Sequence, residues 1–249
     1  MLSDLTTGFI GRLRARDPQA WFELWETFGP ILRSQLARWG KGRIGVETVQ
    51  DLSQETLAAL ADAIDRHDPD RGARFSTWLL AIAKHSLYGE FDRRMAQKRG
   101  AGRANAELDE ELHGRESPPD APYEAAVFHA KVEAALRLVE RQSDFMDFSV
   151  WRMRVLDGRS GREVAEATGL SEPTVSRRLA RVRDALRTRL AEVMTKYSFT
   201  DDERAEADRN GLPLAPNKAD DALFDEAVAE IWHRQQELRA TDRAAAGRP

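Results

Sequence analysis

The sequence predicts an all-α protein: two small helical domains joined by a flexible acidic linker, the second a helix-turn-helix domain, followed by a C-terminal helical extension. Three observations carry this expectation. Apolar residues recur at steps of three and four along most of the 249 residues, the period of one helix face. Val, Ile and Thr nowhere alternate with polar residues over a strand-length run, so no sheet is expected. One tract, 101–121, holds mainly Gly, Ala, Asn, Glu and the pair Pro118-Pro119, with too little apolar surface to fold by itself.

In chain order, the first clear helix starts at Asp17-Pro18, an N-cap followed by proline in the first turn. Its predicted buried face is Trp21, Trp25, Phe28, Leu32, Leu36 and Trp39, ending at Gly40, Gly42 and Gly45. A second helix spans about 46–66, with Val49, Leu52, Leu57, Leu60 and Ile64 inward and Asp51, Gln54, Glu55, Ala58 and Asp62 outward. After a turn at 67–72, a third helix runs from about 75 to 99, with Phe75, Trp78, Leu79, Ile82, Tyr88, Phe91 and Met95 toward a core. Beyond the linker, Tyr123, Val127, Ala134 and Leu138 mark one helix, and Phe145, Phe148, Trp151 and Val155 the next, closed by Asp157-Gly158. Residues 200–217 read as polar and turn-rich. A last amphipathic helix over about 220–240 shows Leu223, Phe224, Ala227, Val228, Ile231 and Trp232. One short helix cannot bury such a stripe unaided, so it must pack on its own body, a second copy or a partner.

Charge is segregated. The formal total is −4, yet 84–103 and 159–189 are each +4, whereas 105–124 is −6 and 198–249 is −5. Two basic blocks separated and followed by acidic ones suggest nucleic-acid contacts within an otherwise acidic chain.

The strongest local signal lies in 161–183. Two helices crossing through a short turn need a small residue at their contact, a residue tolerant of positive φ in the turn, and an apolar anchor on the second helix. Ala165, Gly169 and Val175 stand at those places, with Leu179 one turn later. Ser171 is placed to cap the second helix and Pro173 suits its first turn. Thr174, Ser176, Arg177, Arg178 and Arg181 lie off the apolar face, where such a helix meets the major groove. Arginine is the commonest bidentate reader of guanine. Arg183, Arg187 and Arg189 are expected to touch phosphates or to stand in solvent.

With Asp51-Leu-Ser-Gln-Glu-Thr, Phe75-Ser-Thr-Trp-Leu and Phe91-Asp-Arg-Arg-Met-Ala-Gln-Lys-Arg preceding that motif in order, the chain resembles a bacterial RNA polymerase sigma factor. The likeness is to the extracytoplasmic-function group of the sigma-70 family, over about 10–100 and 123–193. The resemblance implies region two at 10–100, a linker at 101–121 and region four at 122–194; the acidic extension at 195–249 exceeds that pattern, and its charge, opposite to that of the basic blocks, suggests a regulatory tail acting by autoinhibition or by docking a partner. It implies docking on core RNA polymerase by Asp51, Gln54 and Glu55, which share one stripe at helical spacing. It implies recognition and melting of the minus-ten promoter element by the third helix, with His85, Arg93, Arg94, Lys98 and Arg99 as candidate contacts. His85 stands where many relatives carry Asn. Trp78 is expected in the core rather than stacked on a base. The helix-turn-helix would read the minus-thirty-five element, and the linker would thread near the polymerase's RNA channel.

The implied partners are core polymerase and promoter DNA, with an anti-sigma factor or other regulator as a further candidate. A stand-alone helix-turn-helix regulator, binding duplex DNA without polymerase, is the competing reading. No enzymatic activity, cofactor or metal is expected. The five histidines lack ligand spacing, no phosphate-cradling Gly-rich loop is present, and zero cysteines exclude disulfides and thiolate chemistry. No run approaches eighteen apolar residues and the N-terminus shows no secretory pattern, so a cytoplasmic protein without membrane contact is expected.

Overall fold

A computed structural model describes residues 3–40, 44–66, 74–100, 120–213 and 220–246. The expected turn at 67–72 and all but the end of the expected linker at 101–121 lie outside the described residues. Among the described residues the chain is helical and contains no strand. None of its helices is long and apolar enough to cross a membrane. The helices are α1 Asp4–Arg14, α2 Pro18–Trp39, α3 Val46–Arg66, α4 Phe75–Gly100, α5 Ala121–Gln142, α6 Phe145–Trp151 with a π turn Arg152–Leu156, α7 Gly161–Thr168, α8 Glu172–Lys196, α9 Asp201–Arg204, α10 Glu206–Arg209 and α11 Asp221–Ala246. They fall into two compact units, Met1–Val127 and Phe128–Pro249.

In the first unit, local chemistry starts each helix. The Ser3 side chain accepts from the Thr6 N–H at α1, and Asp17 accepts from Gln19 N–H at α2, with Pro18 in the first turn. Arg12 donates to Asp17 at 2.6 Å and, with the Gln19 N–H, holds its carboxyl below the usual carboxylate range. The buried face of α2 is Ala20, Leu24, Phe28, Leu32 and Leu36. Trp21, Trp25 and Trp39, expected inward, flank that face half-buried. A stripe read at steps of three and four is wide enough that the centre of the buried arc can fall one residue to the side. Leu52, Leu60 and Ile64 of α3 and Phe75, Leu79, Leu80, Ala83, Leu87 and Phe91 of α4 complete this core. Trp78 is half-buried beside Phe75, ring centroids 5.9 Å apart.

The sequence places the second domain's start at 122, but the first turn of α5 packs with the first unit. Tyr123 is buried and its hydroxyl donates to the Ser76 carbonyl at 3.2 Å. Ser76 Oγ donates to the Glu124 carboxylate at 2.8 Å, and Arg38 pairs with Asp120 at 2.6 Å. Burial drives the Tyr123 phenol far above its ordinary value.

In the second unit, Val150, Val164 and Val175 form a buried nucleus from α6, α7 and α8, joined by Met146, Met153, Ala165 and Leu170. The expected inward face of α6 needs correction at two places. Phe145 is 81% exposed and Val155 is only half-buried, whereas Asp147, Val150, Trp151 and Leu156 are buried. Phe145 occupies the first position after the N-cap Asp144, and the π turn at 152–156 inserts a residue that moves the inward position from 155 to 156.

The region read as turn-rich contains ordered structure. Thr200 and Glu203 form a reciprocal capping box starting α9, and Leu212 is fully buried. Residues 214–219 lie outside the described set. Of the three options for the last stripe, α11 takes the first: Phe224, Val228 and Ile231 are buried within its own unit, Leu223 remains exposed, and His233 Nε2 lies 3.0 Å from the Leu156 carbonyl that ends the π turn.

Candidate nucleic-acid interface

The helix-turn-helix is built from the nucleus outward. Ser160 and Glu163 cap α7 reciprocally, and the Ser160 N–H on the Glu163 carboxylate lowers its pKa. Gly169 closes α7 at φ +69°, a conformation that a side chain would strain. Leu170 then drops onto the core and α8 begins. Ser171 occupies the capping position but its side chain makes no bond to the helix backbone; its hydroxyl meets the Thr174 hydroxyl at 2.9 Å instead.

The five residues singled out on α8 differ in their surroundings. Ser176 and Arg177 are exposed and Thr174 is half-buried; Arg177 Nη2 donates to Thr174 Oγ1 at 3.2 Å. Arg178 is drawn toward α6, its Nη1 on Asp147 and, at 3.3 Å, on Asp144. Arg181 stands outward, its side chain 60% exposed. Its Nε and Nη2 donate to Asp147 Oδ2 and Oδ1 at 2.8 and 2.9 Å. Arg181 first and Arg178 next hold the Asp147 carboxyl below the carboxylate range against the opposing effect of burial.

Two of the three arginines expected at phosphates or in solvent are instead buried. Arg183 grips Asp225 at 3.0 and 2.6 Å and Asp221 at 2.7 Å. Arg187 donates to Asp221 at 2.8 Å and lies 4.7 Å from the Phe224 ring centroid. Both side chains are at most 10% exposed. Arg189 pairs with Glu192 at 2.6 Å on its own helix. Sequence reasoning missed Asp147, Asp221 and Asp225. A signal for the last two was present: arginines four apart at 183 and 187, and aspartates four apart at 221 and 225, each pair on one helix face.

In the first unit, Asp51, Gln54 and Glu55 lie exposed along α3. His85 is exposed on α4. Arg93 reaches across and binds Glu55 in a fork, Nη1–Oε1 3.0 Å and Nη2–Oε2 2.7 Å, and Glu55 raises the guanidinium pKa. Arg94 donates to Glu90 at 2.6 Å and to Thr48 at 2.8 Å. Two groups that the sequence assigns to different surfaces, the acidic stripe and the basic end of α4, thus share an ion pair. Lys98 and Arg99 lie in the last turn of α4, and their side chains are outside the described ones. Among the described residues no cluster of His, Asp and Glu could hold a metal ion.

Comparison with known families places two matches on this frame. The profile of Sigma-70 region 2 matches residues 24–97, which spans α2 to α4. The profile of Sigma-70, region 4, matches residues 152–186, from the π turn into α8. No curated protein matches the chain.

Proposed function

From its membership of the sigma-70 family, in the extracytoplasmic-function arrangement of region 2 followed by region 4, we propose a division of labour for a sigma factor that directs promoter recognition. The stripe of Asp51, Gln54 and Glu55 docks on core RNA polymerase, where an acidic, amide-bearing face steers a basic partner surface and sets its register. The α4 surface bearing His85, Arg93, Arg94, Lys98 and Arg99 holds the minus-ten element. A base leaving the stack there costs a few kcal/mol, which cationic contacts to the single strand help to offset. Thr174, Ser176, Arg177 and Arg181 read the minus-thirty-five element, with Arg178 braced behind them. The family's members lend specificity to polymerase chemistry rather than catalyse a reaction, and the protein acts in the cytoplasm where polymerase is.

The observation that carries this reading is the outward placement of Arg177 and Arg181 on the helix that follows the Gly169 turn, inside the stretch matching region 4. The test is transcription with core polymerase on genomic DNA, with and without the chain. Specific new starts are expected; their absence overturns promoter recognition. Changing Arg177 and Arg181 together to alanine is expected to weaken initiation where the upstream element matters. Unchanged initiation at every start overturns the contact assignment.

A further inference from the structure

Asp147 lies on α6, outside the helix-turn-helix proper, and its carboxylate is almost entirely covered. It receives two guanidinium groups from α8. The way it receives Arg181 is specific. A guanidinium has two edges able to make paired hydrogen bonds: the side edge, Nε with one Nη, and the end, Nη1 with Nη2. Asp147 takes the side edge of Arg181 through Nε and Nη2. Nη1 has no acceptor among the described residues, and the side chain is mostly in solvent. The end of the fork is therefore oriented by a covered carboxylate and still open.

We propose that Asp147 is the positioning residue for upstream-element reading: by holding the side edge of Arg181 it presents the Nη1–Nη2 end to O6 and N7 of one guanine, and so sets the base preference at one position. This deepens the proposed function and rests on its assignment of Arg181 to DNA. Restricting a long side chain before binding reduces the ordering lost at the moment of contact, and only a planar fork gains from being aimed. Arg178 completes the arrangement. Its Nη1 sits on the same carboxylate and, at 3.3 Å, on Asp144, so two guanidinium groups and two carboxylates lock together around Asp147. Arg177, whose only described side-chain partner is the Thr174 hydroxyl, has no such brace.

The experiment measures binding of the polymerase holoenzyme to a promoter library randomised over the upstream element, for the unaltered chain, Arg181→Ala, Asp147→Asn and the double variant. Arg181→Ala is expected to abolish guanine preference at one position. Asp147→Asn is expected to lower that preference by roughly tenfold at the same position, and the double variant to match Arg181→Ala alone. Asp147→Glu keeps the charge, shifts the carboxylate by one methylene and serves if Asp147→Asn does not fold; it is expected to weaken the same preference while overall affinity stays within about twofold. Preference retained in the folded Asp147 variants, or affinity lost equally across all sequences, overturns the aiming role. An Arg181→Ala profile identical to the unaltered one overturns the contact assignment itself, a separate failure.

Discussion

Two faces of α8 carry the same residue type to opposite ends. On the face that Arg177 and Arg181 share, both side chains stand in solvent. Only two residues past Arg181 but turned to another face, Arg183, and Arg187 one turn later, are buried against Asp221, Asp225 and the Phe224 ring. Nothing in arginine itself decides this. The guanidinium can be buried only where acids satisfy its charge, and α11 brings its acids to the face of Arg183 and Arg187. The lesson is that a basic stripe in a sequence is not a DNA-binding surface until the chain's own acids have been placed. Even the outward face is touched by that rule, since Asp147 holds Arg181 by its side edge and Arg178 through Nη1.

The contrast can be broken most severely at Phe224, which is fully buried beneath Arg187. Phe224→Ala is expected to cost about 4 kcal/mol, read as a lower denaturant midpoint at unchanged slope. A loss below about 1 kcal/mol would mean that α11 is not part of the folded unit. Asp225→Ala is expected to cost about 3 kcal/mol, because it leaves Arg183 covered and short of an acceptor. A double-mutant cycle with Arg183→Ala should show coupling of about 1 kcal/mol or more; additive losses would contradict the contact.

A smaller effect comes from His129, which packs where Arg234 and Glu230 of α11 face it. Burial first, and Arg234 next, lower its pKa below the ordinary imidazole value, with Glu230 opposing. The unfolded chain therefore holds the proton at a pH where the folded one does not. His129's contribution to stability is complete above about pH 6.5 and is lost as pH falls toward the lowered folded value. His129→Gln is expected to flatten the stability profile between about pH 7 and 5 relative to the unaltered chain, measured by denaturant titration across that range. An identical slope in both proteins would show that His129 does not supply it.

The smallest stability effects belong to the exposed arginines. Arg177→Ala should leave the melting temperature within error while reducing promoter binding, the reverse of Arg183→Ala. Arg93→Ala, which removes an exposed pair with Glu55, should likewise leave melting unchanged, since exposed pairs contribute little. A clear drop in melting temperature for either variant would mean that exposure in the structure does not separate the two kinds of arginine.

Much of this was legible without coordinates because it is local. Asp17-Pro18 starts α2, Gly169 takes positive φ, and Ala165 and Val175 meet in the helix-turn-helix nucleus, each dictated by residues no more than ten positions apart. Helix faces were legible to within about a residue. The tryptophans of α2 and Phe145 of α6 were misjudged because periodicity places an apolar arc but not its centre, and because a π turn changes the phase after it is formed.

The sequence by itself determined the helical class, the two-part organisation and the order of motifs that marks the family, since short-range spacing and turn chemistry carry that information. Only the tertiary structure decided which arginines face solvent and which are buried. That choice depends on Asp147, Asp221 and Asp225, which lie between 31 and 42 residues from the arginines they hold, and burying a charge is governed by what stands within a few ångströms rather than by what adjoins it in the chain.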